Sequence, residues 1–364
     1  MLDELFQTGG NLAAYDDIFC GSDYLDEVLA ARIKSGDMVL LFSIDGAQLY
    51  QSKASDTWIY IWVVLDHAPD CRYKKKHVLP GGFIPGPNPP KVVDSFLFPG
   101  IHHLSAIQNE GLKIWDAQRN NGFISKVFLL VACADVLGMA SLSGLVGHHG
   151  KYGCRLYCAL PGRHKENLPQ YYPARLKPEN YAIHGCDHDD YPVDQIIAMA
   201  NGSERYKQHL KYVEQSPNKT QYTKHRRATG ICKATILSGL SRRLQIPRLF
   251  SVDIMHLPAL NIPDLLIGLW RGTLDCDRHD NRSSWTWAVL VGRVWKEHGA
   301  EIARCTPHLP GSFDRSPCNP AEKMNSGYKA WEWLLYLYGL APALLFGILP
   351  LQYWQNYCRL VFAI

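Results

Sequence analysis

The sequence predicts an α/β fold: a mixed sheet flanked by helices, with a largely helical and irregular insertion before a final helix. Three observations predict it. Apolar runs of strand length recur through the first 160 residues, separated by stretches of helical periodicity. One run, residues 126–135 (KVFLLVACAD), is apolar almost throughout, as in a strand buried on both faces. From about residue 160 to 320 proline, histidine and charge become frequent and the pattern loosens, before a strong helical signal returns at 327–338.

Taken in order, residues 1–36 read as a helical lead-in. Residues 37–45 (DMVLLFSID) form a first strand that ends in an acid followed by Gly46. Residues 57–65 (TWIYIWVVL) are rich in aromatic and β-branched side chains and make a second strand. A third, short strand is expected at 77–79 or 83–84, ahead of the helix- and strand-breaking PGPNPP. Residues 92–117 carry helical spacing through Phe96, Ile101, Leu104, Ile107, Leu112 and Trp115. The fourth strand is 126–135, followed by a helix at 138–146 and a fifth, shorter strand at 152–159. Within the loose region, helices are expected at 193–215 and 263–270. The resulting organisation is a first part of the core at 37–160, an insertion at 161–320 and C-terminal helices completing the core at 321–364. No internal repeat is present.

With 47% apolar residues, ten tryptophans and nineteen tyrosines, the chain belongs with globular proteins able to bury a large core, not with disordered ones. Its formal charge of +4 is too small to identify nucleic acid as a partner, so local basic clusters matter more. The eleven cysteines are scattered, and Met1-Leu2-Asp3-Glu4 does not open a secretion signal, which together point to a reducing compartment. Residues 333–351 (WLLYLYGLAPALLFGILPL) hold no charge over nineteen positions, the length of a membrane span. Gly339, Pro342, Gly347 and Pro350 punctuate them, which favours a broken, buried helix and leaves a membrane anchor as the rival reading.

Acids close the first and fourth strands: Asp45 in FSIDGAQ and Asp135 in VACADVLGM. An aspartate that ends a strand and opens a turn is common. Two on strands that lie side by side can instead share a divalent cation, as phosphoryl-transfer chemistry requires. A third acid is expected at Glu332, on an apolar helix where an unpaired carboxylate is costly. Asp253 in LFSVDIMHL, followed by His256, competes for that role. The predicted cofactor of such a site is Mg2+ or Mn2+.

Cys154 and Cys158, preceded by His148 and His149, have a spacing that structural zinc accepts, with His164, Cys186 and His188 as further candidate ligands. Two cysteines four apart on a strand also simply share a face. Lys74, Lys75 and Lys76, then Lys224, Arg226 and Arg227, then Arg242 and Arg243 are candidate phosphate contacts. Tyr212 and Tyr222 lie where they could stack on unpaired bases.

The stretches beginning IDGAQLYQSKASDTWIYIWVVLDHAPDCRYKKKHVLPGGF, together with LSGLVGHHGKYGCRLYC, DIMHLPALNIPDLL and NPAEKMNSGYKAWEWLLY, resemble the transposases of CACTA (En/Spm-like) elements, in particular those of fungi. The resemblance runs from about residue 37 to the end. It implies an RNase H-like core of the DDE type, interrupted by an insertion before the third acid. It also implies metal-dependent cleavage and strand transfer at transposon ends, nuclear location, DNA as partner and a homo-oligomer when active. Carried over by position, the three acids are Asp45, Asp135 and Glu332. The resemblance likewise supports zinc at the cysteine pair, although relatives space their cysteines two residues apart. Complete members extend further at both ends, so the chain is expected to be a truncated member. A catalytically inactive or domesticated derivative is the alternative.

Overall fold

The computed structural model describes residues 14–48, 56–86, 88, 90–200, 202–276, 280–313, 315–324 and 327–364. The first thirteen residues of the expected helical lead-in lie outside these; its remainder holds one helix, α1 (Ser22–Leu29). The chain divides into two compact units, Met1–Val252 and Asp253–Ile364.

The first unit is an α/β layer structure. Strands β1 (Val39–Gln48), β2 (Asp56–Val64) and β3 (Val78–Ile84) make an antiparallel meander. Helix α2 (Val93–Glu110) buries Val93, Leu97, Ile101, Leu104 and Gln108, the three- and four-residue spacing of one helical face. The chain then forms a hairpin of β4 (Leu112–Asp116) and β5 (Asn121–Ser125) before β6 (Phe128–Ala134) returns parallel to β1. The order is β3-β2-β1-β6. As its composition predicts, β6 is covered on both faces: Phe128, Leu129 and Leu130 are all buried. The helix α3 (Val136–Ser143) starts directly from its end.

Three expectations change. The helix at 92–117 stops at Glu110, because Gly111 adopts φ 85, a conformation glycine tolerates and other residues resist; the remainder becomes β4. Residues 152–159 are not a strand. Tyr157 and Ala159 have φ values of 54 and 62, which no extended strand contains. The fifth partner of the sheet comes from the region read as an insertion, where Arg243 and Phe250 bridge in parallel to Leu129 and Ala132 on the outer edge of β6. Gln108 pins that return, donating to the Arg242 carbonyl at 2.7 Å and accepting from its N–H at 3.2 Å. Between these points lie a two-stranded ribbon, β7 (Arg163–His164) with β8 (Tyr171–Tyr172), and helices α4 (Val193–Met199), α5 (Ser203–Glu214) and α6 (Lys219–Thr229).

The second unit is helical: α7 (Ile262–Trp270), α8 (Gly292–Arg304), α9 (Pro320–Lys323), α10 (Ala330–Leu334), α11 (Ala341–Leu344) and α12 (Leu351–Ala363), with a π-helical link Leu335–Leu340 between α10 and α11. Its core includes Trp270, Ile302, Tyr336, Leu337 and Leu345. The uncharged stretch 333–351 supplies much of this core and breaks at Gly347, φ 77. Among the described residues no helix is long and apolar enough to cross a membrane.

Candidate functional site

Strands β1 and β6 pair in parallel with Ile44 opposite Ala134, so the next residue on each is an aspartate, Asp45 and Asp135. Neighbouring strands run about 4.8 Å apart, which sets the two acids side by side at one edge of the first unit's core. Asp45 does not end its strand. β1 continues to Gln48, and Asp45 pairs across to Ile59 of β2. Asp135 does end β6, and it caps α3: its Oδ1 accepts from Gly138 N at 2.6 Å. Asp45 Oδ1 accepts from Gly46 N at 2.8 Å. Gly138 is part of this geometry, since a Cβ there would stand 2.9 Å from Asp135 Oδ1 and 3.2 Å from Ala134 Cβ. The sequence reading missed Gly138, although the Asp-x-x-Gly spacing at a strand-to-helix junction is a capping signal.

The two candidates for a third acid lie in the second unit. Glu332 is almost fully buried, its side chain 2% exposed, and its oxygens are well partnered. Oε2 accepts from Lys329 N at 2.9 Å, closing a capping box at the start of α10, and lies 3.2 Å from Arg315 Nε. Oε1 accepts from Cys318 N at 3.3 Å. Burial pushes this carboxyl up, but those hydrogen bonds and the Arg315 charge more than offset it and hold it below its ordinary value. Asp253 binds its own turn: Oδ1 accepts from His256 N at 2.9 Å and Oδ2 meets His256 Nδ1 at 2.6 Å.

Cys154 and Cys158 do come together. A hydrogen bond with the Cys158 thiol holds Cys154 below an ordinary thiol against the raising effect of burial, helped by the N–H groups of Cys158, Leu156 and Tyr157. Cys158 is correspondingly raised. Cys186 is buried, and the candidate histidines have other partners. The His148 and His149 rings pack at 3.8 Å, His164 Nδ1 meets the Lys165 carbonyl, and His188 Nε2 meets that of Pro161. Among the described residues no group of three or more His, Cys, Asp or Glu side chains is placed to hold a metal. Tetrahedral zinc requires four ligands. Beside Cys154 is a recess of about 180 Å³ lined by Cys154, Tyr157, Arg205 and His209.

Of the basic clusters, Lys74, Lys75, Lys76, Lys224, Arg226 and Arg227 are exposed. Arg242 instead binds Asp37 Oδ2 at 2.6 Å and the Arg32 carbonyl, and Arg243 donates to the carbonyls of Leu237, Leu244 and Ser238. Their guanidinium groups serve the fold of the first unit. Tyr212 stacks on His225 at 3.7 Å, and Tyr222 donates to the Cys232 carbonyl.

Residues 29–165 match the family described as Transposase family tnp2. The matched segment runs from the end of α1 through β7, and contains Asp45, Asp135, Cys154 and Cys158. No curated protein matches the chain. Similarity to a transposase family, and the in-register acids inside the matched segment, point in the same direction.

Proposed function

We propose that this chain carries the core of a DDE-type transposase of the CACTA (En/Spm-like) kind, acting on DNA in the nucleus as a homo-oligomer. The observation that carries the reading is the adjacency of Asp45 and Asp135 on neighbouring parallel strands. The strand order β3-β2-β1-β6, extended by the bridges at Arg243 and Phe250, supports an RNase H-like sheet. Mg2+ or Mn2+ fits the pair, because magnesium is characteristically held by one or two carboxylates together with waters and substrate phosphates. When bound, such a cation activates the attacking oxygen and stabilises the leaving one in an in-line displacement at phosphorus.

The chain's own residues orient the reaction. The ladder from Ile44 to Ala134 fixes the backbones of both acids, and the Gly46 and Gly138 N–H groups each hold one oxygen of a carboxylate. Exposed Lys74, Lys75 and Lys76, with Lys224, Arg226 and Arg227, supply contacts to phosphates. The expected third acid, Glu332 or Asp253, belongs to the second unit, and its part in cleavage is tested by substitution. The saturated hydrogen bonding of Glu332 favours a second reading, a DNA-binding derivative that no longer cuts. Incubating the full chain with supercoiled DNA and Mg2+ or Mn2+ separates the two. Nicking that disappears in EDTA and in Asp45→Asn supports the transposase; binding without nicking supports the derivative.

A further inference from the structure

The second unit contains a recess of about 730 Å³ between α7 and α12, walled by Trp270, Trp287, Tyr353, Tyr357, Leu269 and Leu360. Of this, about 320 Å³ is open to a water-sized sphere, the low end of small-ligand sites. Tyr353, Asn356, Tyr357 and Leu360 line it from α12 at the three- and four-residue spacing of one helical face. Trp287 meets Tyr353 edge-on, with ring centres 6.0 Å apart at 82°, and Trp285 stacks on Trp287 at 5.7 Å. The Arg282 guanidinium lies over Trp285, 5.7 Å from its ring centre. Tyr353 has its hydroxyl partnered by Thr286 Oγ1 at 2.9 Å. Trp287 does not: its indole N–H is buried with no acceptor among the described residues. A buried donor left without a partner is rare in folded proteins.

We propose that this recess receives an unpaired nucleobase of a DNA strand, a proposal that rests on the transposase reading. Aromatic walls offer stacking faces to any base. The exposed Asn356 amide, which lines the recess, presents a donor and an acceptor together. Charge favours a polyanion over an apolar protein segment. Arg282 lies over Trp285, which stacks on Trp287, and α12 carries the exposed Arg359 and no acid, whereas Arg293 is paired with Glu297 at 3.6 Å. The phosphates flanking a base in the recess would then meet Arg282 and Arg359.

The test uses the full chain in EDTA, so that cleavage plays no part, with three probes: a single-stranded oligonucleotide carrying one 2-aminopurine, the same strand abasic at that position, and its duplex. The recess predicts at least twofold quenching of 2-aminopurine on binding, and weaker binding of the abasic strand. Trp287→Leu and Tyr353→Leu should weaken single-strand binding about tenfold, in line with the loss of one stacked base, while leaving duplex binding unchanged. Trp287→Phe keeps an aromatic ring at this wall, so it should retain quenching. Asn356→Ala, at an exposed position, keeps the test decisive if the aromatic variants fail to fold: it should alter the preference among bases. Unquenched fluorescence, equal affinity for the abasic strand, or indifference to all four substitutions would overturn the proposal. So would a mass doubling of the protein that Tyr353→Leu abolishes without affecting DNA. Asp45→Asn separates this from the reading it rests on, since it should abolish nicking and leave quenching intact.

Discussion

Ile44 and Ala134 face one another across the parallel seam of β1 and β6, and this single register brings the next residues, Asp45 and Asp135, together. The two acids differ in what else they do. Asp45 sits inside a strand paired on both sides, whereas Asp135 also caps α3.

That difference predicts separable effects. Asp135→Asn keeps an acceptor at the cap and should leave stability within about 0.5 kcal/mol, while Asp135→Ala should cost about 1 kcal/mol. Both, like Asp45→Asn, should abolish metal-dependent nicking. Gly138→Ala should impair nicking without touching either acid, by crowding Asp135 Oδ1. Thermal melts beside nicking rates check all four; an Asp135→Ala protein as stable as the parent would contradict the capping role.

Glu332 is bound into its own helix start, so Glu332→Gln should destabilise the second unit by roughly 1–3 kcal/mol, the usual range for losing hydrogen bonds to a buried charge. Because folding lowers this carboxyl, its contribution is full above the ordinary carboxylate range and is lost as pH falls through the folded value. Asp253→Asn should cost less, since Asn still accepts from His256 N. Nicking measured well below both melting temperatures then allocates the third ligand: the variant that is folded and inert identifies it.

His298 offers a pH signature in the same unit. Burial lowers it to about 4, with Nε2 bonded to Tyr336 Oη at 2.9 Å. Between pH 6.5 and 4 the unfolded chain takes up a proton that the folded one refuses, so stability should fall progressively as the medium is acidified across that window. The loss totals about 3 kcal/mol, because each pH unit between the two values is worth about 1.4 kcal/mol. Melting temperatures of the parent and His298→Gln across this range check it; parallel curves would show that His298 is not the group responsible.

Cys154, held below an ordinary thiol by its hydrogen bond with Cys158, should be the more readily alkylated of the two. Its alkylation by iodoacetamide, followed by mass spectrometry, should reach half its maximal rate at a pH below that of an ordinary thiol, and Cys158→Ser should move that midpoint upward. A midpoint near about 8.5 in the parent would mean that the two sulfurs do not interact.

Much of the sheet was legible because its signals are local. β2 and β6 announce themselves by aromatic, β-branched and continuous apolar runs, and the two acids stand beside such runs. What was not legible depends on distant partners or on single dihedral angles. Arg242 and Arg243 read as a basic cluster, yet Asp37 and the carbonyls around them absorb their charge and donors. The recess in the second unit joins residues far apart in sequence, and neither Trp287 nor Tyr353 carries a motif. The turn at 152–159 shows no glycine where its backbone becomes left-handed, so nothing in its composition contradicts a strand.

The central claim is that Asp45 and Asp135 ligate a catalytic divalent cation, and metal selectivity in cysteine variants tests it most directly. A thiolate ligand disfavours Mg2+ and tolerates softer ions such as Mn2+. Nicking of supercoiled DNA by Asp45→Cys and Asp135→Cys should therefore vanish with Mg2+ and return with Mn2+, whereas the parent nicks with either. Variants that nick as fast as the parent with Mg2+ would contradict direct ligation by these two residues.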